Sequence, residues 1–277
     1  MSSSPLTLAA KRAISRVYHA VGPRTPGSAV RCLMYHSIVA EPHDDPAQMT
    51  TPVSLFATHM AYLAAHGYAV TDAAEVVGRL RGGEPIAPKT IVITFDDGFV
   101  DTLDLAMPIL AAHGFPATVF LVTSALDGRY ENMWGGASAG YLRWDQAREL
   151  LASGLMKAGC HSATHRNLRT LSAAARRDEI EGARRQLEDG LGVAIDLFAY
   201  PFGGYDTIGD DVRKGVEHAG FAGAFATVFG ANPPGADRFR LKRWRVSWCE
   251  RLPEFARLLD GAYDWYAVAQ RLQALRA

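Results

Sequence analysis

The sequence predicts an α/β protein built as a closed or nearly closed parallel barrel. Three observations carry that expectation. Short hydrophobic segments alternate with helical ones along most of the 277 residues, with brief connections between them, which implies parallel strands joined by right-handed crossovers. The number of strand–helix units, seven or so, suits a barrel closed on itself. The unusual polar residues His36, Asp96, Asp97 and His161 all fall at strand ends, where barrel chemistry gathers.

Composition narrows the function. Apolar content of 48% and charged content of 21% suffice for a sizeable core. The 29 basic residues match the 29 acidic ones, so no basic excess points to a nucleic-acid partner. Cys32, Cys160 and Cys249 are odd in number and widely spaced, unlike a disulfide framework or zinc-thiolate pattern. A reducing, cytoplasmic setting is expected. No segment near the N-terminus is apolar enough for a signal core or membrane span.

The elements follow in order. Leu6, Ala10, Ile14, Val17, Tyr18 and Val21 share one helical face, with Lys11, Arg12, Ser15 and Arg16 away from it. This N-terminal amphipathic helix is expected either to dock by its apolar face on protein or to rest on an anionic membrane surface. The turn-rich stretch 22–27 closes that unit, so residues 1–27 precede a single catalytic domain, 28–277. Residues 30–35 form a strand ending at His36, and 41–51 read as loop. A helix is predicted over 52–66, a short strand over 67–70, and a helix capped by Thr71 or Asp72 to about Arg81. Ile91-Val92-Ile93-Thr94-Phe95 is a strand buried on both faces. A helix over 101–113 stops at Gly114, and 117–122 is a strand. The long segment 127–141 is rich in glycine and aromatics, as site-lining insertions are. Helix 144–153 and strand 155–160 lead to His161. Ser172 caps a long charged helix to Asp189, and strand 197–200 ends in Pro201-Phe202-Gly203-Gly204. Helix 207–219, strand 222–227, strand 243–247 and one closing helix over 253–277 complete the chain.

Two stretches carry chemistry. Asp96-Asp97-Gly98 places adjacent carboxylates at the end of a buried strand, where clustered negative charge resists ionisation. A metal ion or a proton-transfer role explains the pair; a polar turn capping the next helix is the other reading. His161-Ser162-Ala163-Thr164-His165 holds two histidines at i and i+4, which can face one side of a helical turn and bind a metal ion. Structural histidines are the alternative. Cys160 should point away from His161 and pack in the core. His19, His43, His59, His66 and His113 are expected to be surface or structural.

Taken together, Thr94 to Gly98, His161 to His165, and Ala199-Tyr200-Pro201-Phe202-Gly203 resemble, in this order and spacing, the polysaccharide deacetylases of carbohydrate esterase family 4, the nodulation-deacetylase-like domain. Phe115 to Phe120 and Arg240 to Val246 are similar to further strands of that family. The resemblance spans residues 30–247 and implies a distorted (β/α)7-type barrel. It implies a metal-dependent hydrolase that removes an N-acetyl group from an amino sugar of a glycan. Asp97, His161 and His165 would bind one divalent ion, zinc or else cobalt, nickel or iron. Asp96 would be the general base, free to accept a proton while its neighbour is neutralised on the ion. The Phe202 N–H would receive the oxyanion.

The sequence also departs from the family pattern. Ala199 stands where many members have an arginine, and Arg243 is the candidate to supply that charge and tune Asp96. The usual C-terminal Leu-x-His acid is missing. Met34-Tyr35-His36 resembles the first strand of the poly-N-acetylglucosamine deacetylase-like branch, so His36 is proposed as the acid, against a structural role. Tyr200, Phe202, Arg243 and Trp134 form the expected substrate and oxyanion set, with Trp134 and Tyr141 able to stack on a sugar face. The expected substrate is an N-acetylated glycan or a lipid- or nucleotide-linked amino sugar, handled at the inner face of the membrane. Deformylation of a lipid-linked sugar and a non-catalytic glycan-binding barrel are the alternatives.

Overall fold

The computed structural model describes residues 5–22, 27–41, 45, 47–129 and 140–275. A first helix, α1 (Pro5–Val21), precedes β1 (Arg31–Tyr35), β2 (Ser37–Val39), β3 (Thr50–Pro52) and α2 (Val53–Ala65). Next come β4 (Ala69–Val70), α3 (Ala73–Gly82), β5 (Thr90–Phe95), a π-helical turn (Thr102–Ala106) and α4 (Met107–His113). Then follow β6 (Ala117–Leu121), α5 (Thr123–Leu126), α6 (Trp144–Ala152) and β7 (Met156–Cys160). A long helical segment runs as α7 (Ala173–Arg177), a second π-helical turn (Asp178–Gly182) and α8 (Ala183–Leu191). The chain ends with β8 (Leu197–Ala199), α9 (Asp210–His218), β9 (Gly223–Phe225), β10 (Arg243–Arg245), α10 (Leu252–Leu259) and α11 (Tyr266–Ala274).

The strands form a parallel path in the order β10-β1-β5-β6-β7-β8-β9, with β4 beside the start of β5. A parallel bridge between Phe225 and Leu241 links the last strand back toward β10. The architecture is therefore a nearly closed seven-stranded barrel, as the alternation of elements predicts.

Strand alternation sorts the barrel into two layers. Leu33, Tyr35, Ile91, Ile93, Phe95, Val119 and Leu121 face outward into the large core beneath the helices. Cys32, Val92, Phe120, Leu197, Ala199 and Phe225 form a separate cluster in the lumen. Helix α3 joins that cluster through Val76 and Val77. Val77 presses so close to Gly223, the first residue of β9, that a Cβ there would lie 2.8 Å from it. The N-terminal mouth of the barrel is thus closed by apolar packing, and the C-terminal mouth is left for polar groups. Gly159 is small for a similar reason: a Cβ would meet the Phe120 ring at 2.5 Å.

Capping works where it was expected. Asp72 accepts from Ala74 N at 2.6 Å, Ser172 accepts from Ala175 N at 3.3 Å, and Gly114 ends α4 at φ 63°. Some expectations are corrected. The C-terminal segment is two helices, because the chain turns through Gly261 at φ 84°. Residues 37–39 and 50–52, the latter across the end of the predicted loop and the first residue of the predicted helix, pair as a small parallel ladder. The linker residues 23–26, His43 and most of the 127–141 segment, Trp134 included, lie outside the described residues. His59 is structural: its ring stacks on Phe255 at 3.9 Å and bridges the Tyr35 hydroxyl and the Glu250 carbonyl. The three cysteines are buried and unpaired.

Candidate active site

The site begins inside the barrel. Val92 and Thr94 face the lumen, and Asp96 follows them at the same period just beyond β5. Arg243, the first residue of β10, is completely buried there. Its guanidinium lies 5.4 Å from the centre of the Phe120 ring and 5.9 Å from that of Phe225. Its Nη1 and Nη2 donate to the two oxygens of Asp96 at 2.6 and 2.7 Å, and its Nε donates to the Ala226 carbonyl at 3.0 Å. Burial alone raises the pKa of Asp96, but Arg243 outweighs it and holds the carboxyl below its usual range. A fork of this kind fixes the carboxylate plane as well as its charge. The guanidinium fills the lumen beside Ala199, a side chain too small to reach the axis.

Asp97 would point outward if the strand alternation continued. It does not, because its backbone adopts a left-handed conformation, φ 72°, which returns the carboxylate to the mouth of the barrel. There it meets His161 and His165. Asp97 Oδ1 lies 3.4 Å from Nε2 of each histidine. All three residues are buried, and one donor atom from each lies within 4.8 Å of the others. Both Asp97 oxygens are buried and accept no hydrogen bond among the described residues. A buried carboxylate without donors calls for a cation. Two donors about 2.0–2.1 Å from one ion, set at a tetrahedral angle, would lie roughly 3.3 Å apart, which matches the two distances from Asp97 to the histidines; the three donors together, within 4.8 Å, would draw in on an ion.

The second set of contacts orients these ligands. His161 Nδ1 is 2.8 Å from the Ala199 carbonyl, which requires Nδ1–H and turns Nε2 toward Asp97. Burial disfavours the charged ring, but Asp96 and Asp97 outweigh it and raise its pKa, so an ion bound at Nε2 would take the place of a proton. Burial pushes His165 down to about 4, so its ring is neutral at physiological pH. The histidines do not share a helical turn, contrary to the expectation from their spacing. Ser162 and His165 both have left-handed backbones, φ 67° and 54°, and the segment is a compact loop. Its shape is held by Glu179 in the second π-helical turn. Thr164 N–H donates to Glu179 Oε2 at 2.9 Å, the Thr164 hydroxyl donates to Oε1, and Ala163 N–H donates to the Glu179 carbonyl at 3.1 Å.

His36 follows β1 and is buried at the same mouth. Burial lowers its pKa, against the opposing pull of Asp97 and Asp96. Its two successors are clamped by Asp101, just before the first π-helical turn. The Ser37 hydroxyl donates to Asp101 at 2.5 Å and Ile38 N–H at 2.9 Å. Asp101 and Glu179 thus play parallel parts, each a buried carboxylate at a π-helical turn gripping a loop that bears a site histidine. Neither stands out in the sequence. The visible signal is weak, an acidic residue early in a helix whose apolar neighbours require it to be buried.

The remaining candidates separate. Phe202 has φ 62°, its ring is 41% exposed and sits 5.0 Å from the His165 ring, and its N–H makes no backbone bond among the described residues. Tyr200 is corrected: its ring is in the core and its hydroxyl donates to the Phe239 carbonyl at 3.0 Å, so its side chain cannot reach a substrate at the mouth. Arg243 sits on Asp96, the position read for it from the sequence as the charge that tunes that carboxylate, and its complete burial keeps it from the substrate contact also expected of it. Tyr141 stacks on Phe99 at 4.9 Å. A separate cavity of about 550 Å³ opens beside Gly204 and Tyr205, with Ile208, Val228, Arg240 and Lys242 in its walls. None of the residues around Asp96 and Asp97 lines it.

The sequence profile described as polysaccharide deacetylase matches residues 83–224, just over half the chain. YxkH of Bacillus subtilis strain 168, a protein classed with polysaccharide deacetylases, is 25% identical over 215 residues, 78% of this chain and 70% of that one. The poly-beta-1,6-N-acetyl-D-glucosamine N-deacetylase of Escherichia coli K12 is 28% identical over 142 residues, 50% of this chain and 21% of that longer protein. Among solved structures, the Streptococcus pyogenes deacetylase PplD in complex with acetate superposes with a TM-score of 0.72 at 22% identity, covering 86% of this chain and 99% of that one. IcaB from Ammonifex degensii superposes with a TM-score of 0.68 at 23% identity, covering 86% and 98%. These two likenesses are of the fold.

Proposed function

Since the chain belongs to the polysaccharide deacetylase family, and is a deacetylase of the hydrolase class, we propose how its own residues divide the work. Asp97, His161 and His165 hold one divalent ion, best matched by zinc from the two imidazoles and one carboxylate. The observation that carries this reading is the convergence of their donor atoms within 4.8 Å around a buried carboxylate that accepts no hydrogen bond among the described residues. A bound ion supplies Lewis acidity toward the acetyl carbonyl and toward water.

Asp96 is the general base. It takes the proton of the attacking water while Arg243 keeps it ionised and aimed. The water oxygen bonds to the acetyl carbon, the carbon–nitrogen bond breaks, and the electron pair leaves on nitrogen. His36, whose pKa burial lowers, takes up the proton that Asp96 has drawn from the water and gives it to that nitrogen, so the products are acetate and the free amino sugar. The N–H of Phe202, without a hydrogen bond among the described residues, receives the developing oxyanion, and the exposed Phe202 side chain offers an apolar face to the sugar.

The substrate we propose is an N-acetylglucosamine-containing glycan or its lipid- or nucleotide-linked precursor, since one relative acts on poly-beta-1,6-N-acetyl-D-glucosamine by name. Action on the cytoplasmic side is part of this reading, supported by three unpaired buried cysteines. Subcellular fractionation tests that part. Acetate release from β-1,6- and β-1,4-linked N-acetylglucosamine oligomers, with divalent ions varied, tests the function. We expect release that needs the ion and disappears in Asp96→Asn while the ion remains bound. We expect His36→Ala to lower turnover by roughly 10²–10⁴-fold. Undiminished release in Asp96→Asn overturns the assignment of the base, and near-normal turnover in folded His36→Ala overturns that of the acid.

A further inference from the structure

Helix α1 is inverted with respect to its own amphipathicity. The side chains turned toward the body of the protein are its polar ones. Ser15 is buried and accepts from Trp265 Nε1 at 3.0 Å. Arg12 donates to the Cys249 carbonyl at 3.1 Å and pairs with Glu254 at 3.5 Å. Lys11 lies over the Tyr266 ring at 4.3 Å. The apolar stripe therefore faces away from the body: Ile14 is 47% exposed, Val17 64% and Val21 80%. This corrects the expectation that such a helix docks by its apolar side on its own domain.

The neighbouring helix α11 repeats the pattern. Val268, Leu272 and Leu275 fall at i, i+4 and i+7, and are 62%, 52% and 78% exposed. Five of the eleven large hydrophobic residues exposed among the described residues lie on these two helices, and a sixth, Leu275, directly follows α11. The helices touch through Trp265 and Tyr266. Charge is segregated as well. Neither helix contains an Asp or Glu, whereas α1 carries Lys11, Arg12 and Arg16 and α11 carries Arg271, in a chain with equal numbers of acidic and basic residues. Arg16 and Arg271 are exposed beside the apolar stripes.

We propose that α1 and α11 together dock the protein on an anionic membrane surface. A soluble surface rarely presents apolar stripes of this kind without a use. An anionic lipid interface offers what the pair lacks, hydrocarbon for the stripe and negative charge for the flanking cations. A second copy fits less well. A two-fold contact places the same patch on both sides, so Arg16 and Arg271 would face cations with no carboxylate on either helix. The docking would also orient the enzyme. Arg12 ties α1 to the loop after β10, which leaves the barrel at the end that carries Asp96 and the metal ligands. Asp264, ahead of α11, pairs with Arg31 at the start of β1, the opposite rim, so the two helices lie along the side of the barrel and the catalytic mouth would open along the lipid surface, within reach of a glycan that is held there.

The test is co-sedimentation of the full-length protein with vesicles of phosphatidylcholine, with and without phosphatidylglycerol, alongside Val17→Glu and Leu272→Glu. Both positions are exposed, so the variants should fold, and circular dichroism checks this. We expect binding to the anionic vesicles, about tenfold weaker binding without phosphatidylglycerol or in high salt, and at least about tenfold loss in each variant. Release of acetate from a soluble oligomer should not change in the variants. Absence of wild-type binding, or binding indifferent to both substitutions, overturns the proposal. So does light scattering that shows a dimer dissolved by Val17→Glu, which would assign the stripe to a second copy. The binding readout does not use turnover, so it stands or falls apart from the proposed chemistry.

Discussion

Removing the guanidinium of Arg243 should damage stability and catalysis together, through one atom group. The substitution Arg243→Met keeps much of the buried volume but leaves Asp96 in the lumen without a counter-charge. Two unit charges about 4 Å apart interact by roughly 4 kcal/mol at an effective dielectric of 20. The pair here is completely buried, with donor–acceptor distances of 2.6 and 2.7 Å, so solvent screens it little. Breaking such a pair from one side costs about 3–5 kcal/mol, because the remaining charge is stranded. For a domain of this size that corresponds to a fall in Tm of roughly 10 °C. The assay is thermal melting with the metal-saturated protein, run as a double-mutant cycle with Asp96→Asn. The double variant strands no charge, so it should recover about half or more of the loss. Arg243→Lys should fall between, since an ammonium restores charge without the fork. The reasoning is refuted if Arg243→Met melts within about 2 °C of wild type, or if the double variant is no more stable than Arg243→Met.

Other outcomes follow from the same geometry. Asp97→Ala and His165→Ala should each abolish stoichiometric zinc uptake, measured by elemental analysis after dialysis, and a chelator should lower both turnover and Tm of the wild type. Glu179→Ala should weaken zinc affinity by about 10–100-fold in a competition titration while leaving the fold intact, because it frees the loop that presents His165. Asp101 is pushed up to about 7 by burial, even though Ser37 and Ile38 donate to it. Its unfolded value is near 3.9, so its contribution to stability is full below about pH 4 and is lost as pH rises through about 7, up to about 4 kcal/mol. Burial pushes His59 down to about 4, which gives a slope of the opposite sign. The informative quantity is therefore the difference between wild type and Asp101→Asn, whose Tm should fall less from pH 5 to pH 8.

The barrel was legible because its strands are read from both sides. Ile91 to Phe95 is buried at every position and apolar at all but Thr94, as suits a parallel strand covered by helices on one face and lumen residues on the other. Adjacent aspartates at its end were legible as chemistry because burial makes them costly. The roles of His161 and His165 were suggested by spacing, but the backbone that realises them was not. Spacing at i and i+4 is native to a helix, and the same convergence arises here from left-handed residues that a sequence pattern does not show. Tyr200 was misplaced by one step of strand alternation, which separates the mouth from the core. Glu179 and Asp101 were invisible since each grips a backbone N–H, which has no letter in the sequence, and a hydroxyl, Thr164 or Ser37, that lies 15 or 64 residues away along the chain. The orientation of α1 was hidden for a different reason. A helical wheel gives the apolar side but not whether that side faces the body.

Asp97, Ser162, His165 and Phe202 account for four of the six non-glycine residues with positive φ among the described residues. Each such backbone costs roughly 1 kcal/mol relative to the right-handed region. The same four positions carry or adjoin the side chains assigned to chemistry, so glycine, which would relax the backbone, is unavailable at most of them. The mouth of this barrel is therefore its least relaxed region, held in shape by the apolar packing at the opposite end. Substitutions deep in the lumen or under α3, far from any substrate, should then erode activity before they unfold the protein, because the first structure to yield is the one under most tension.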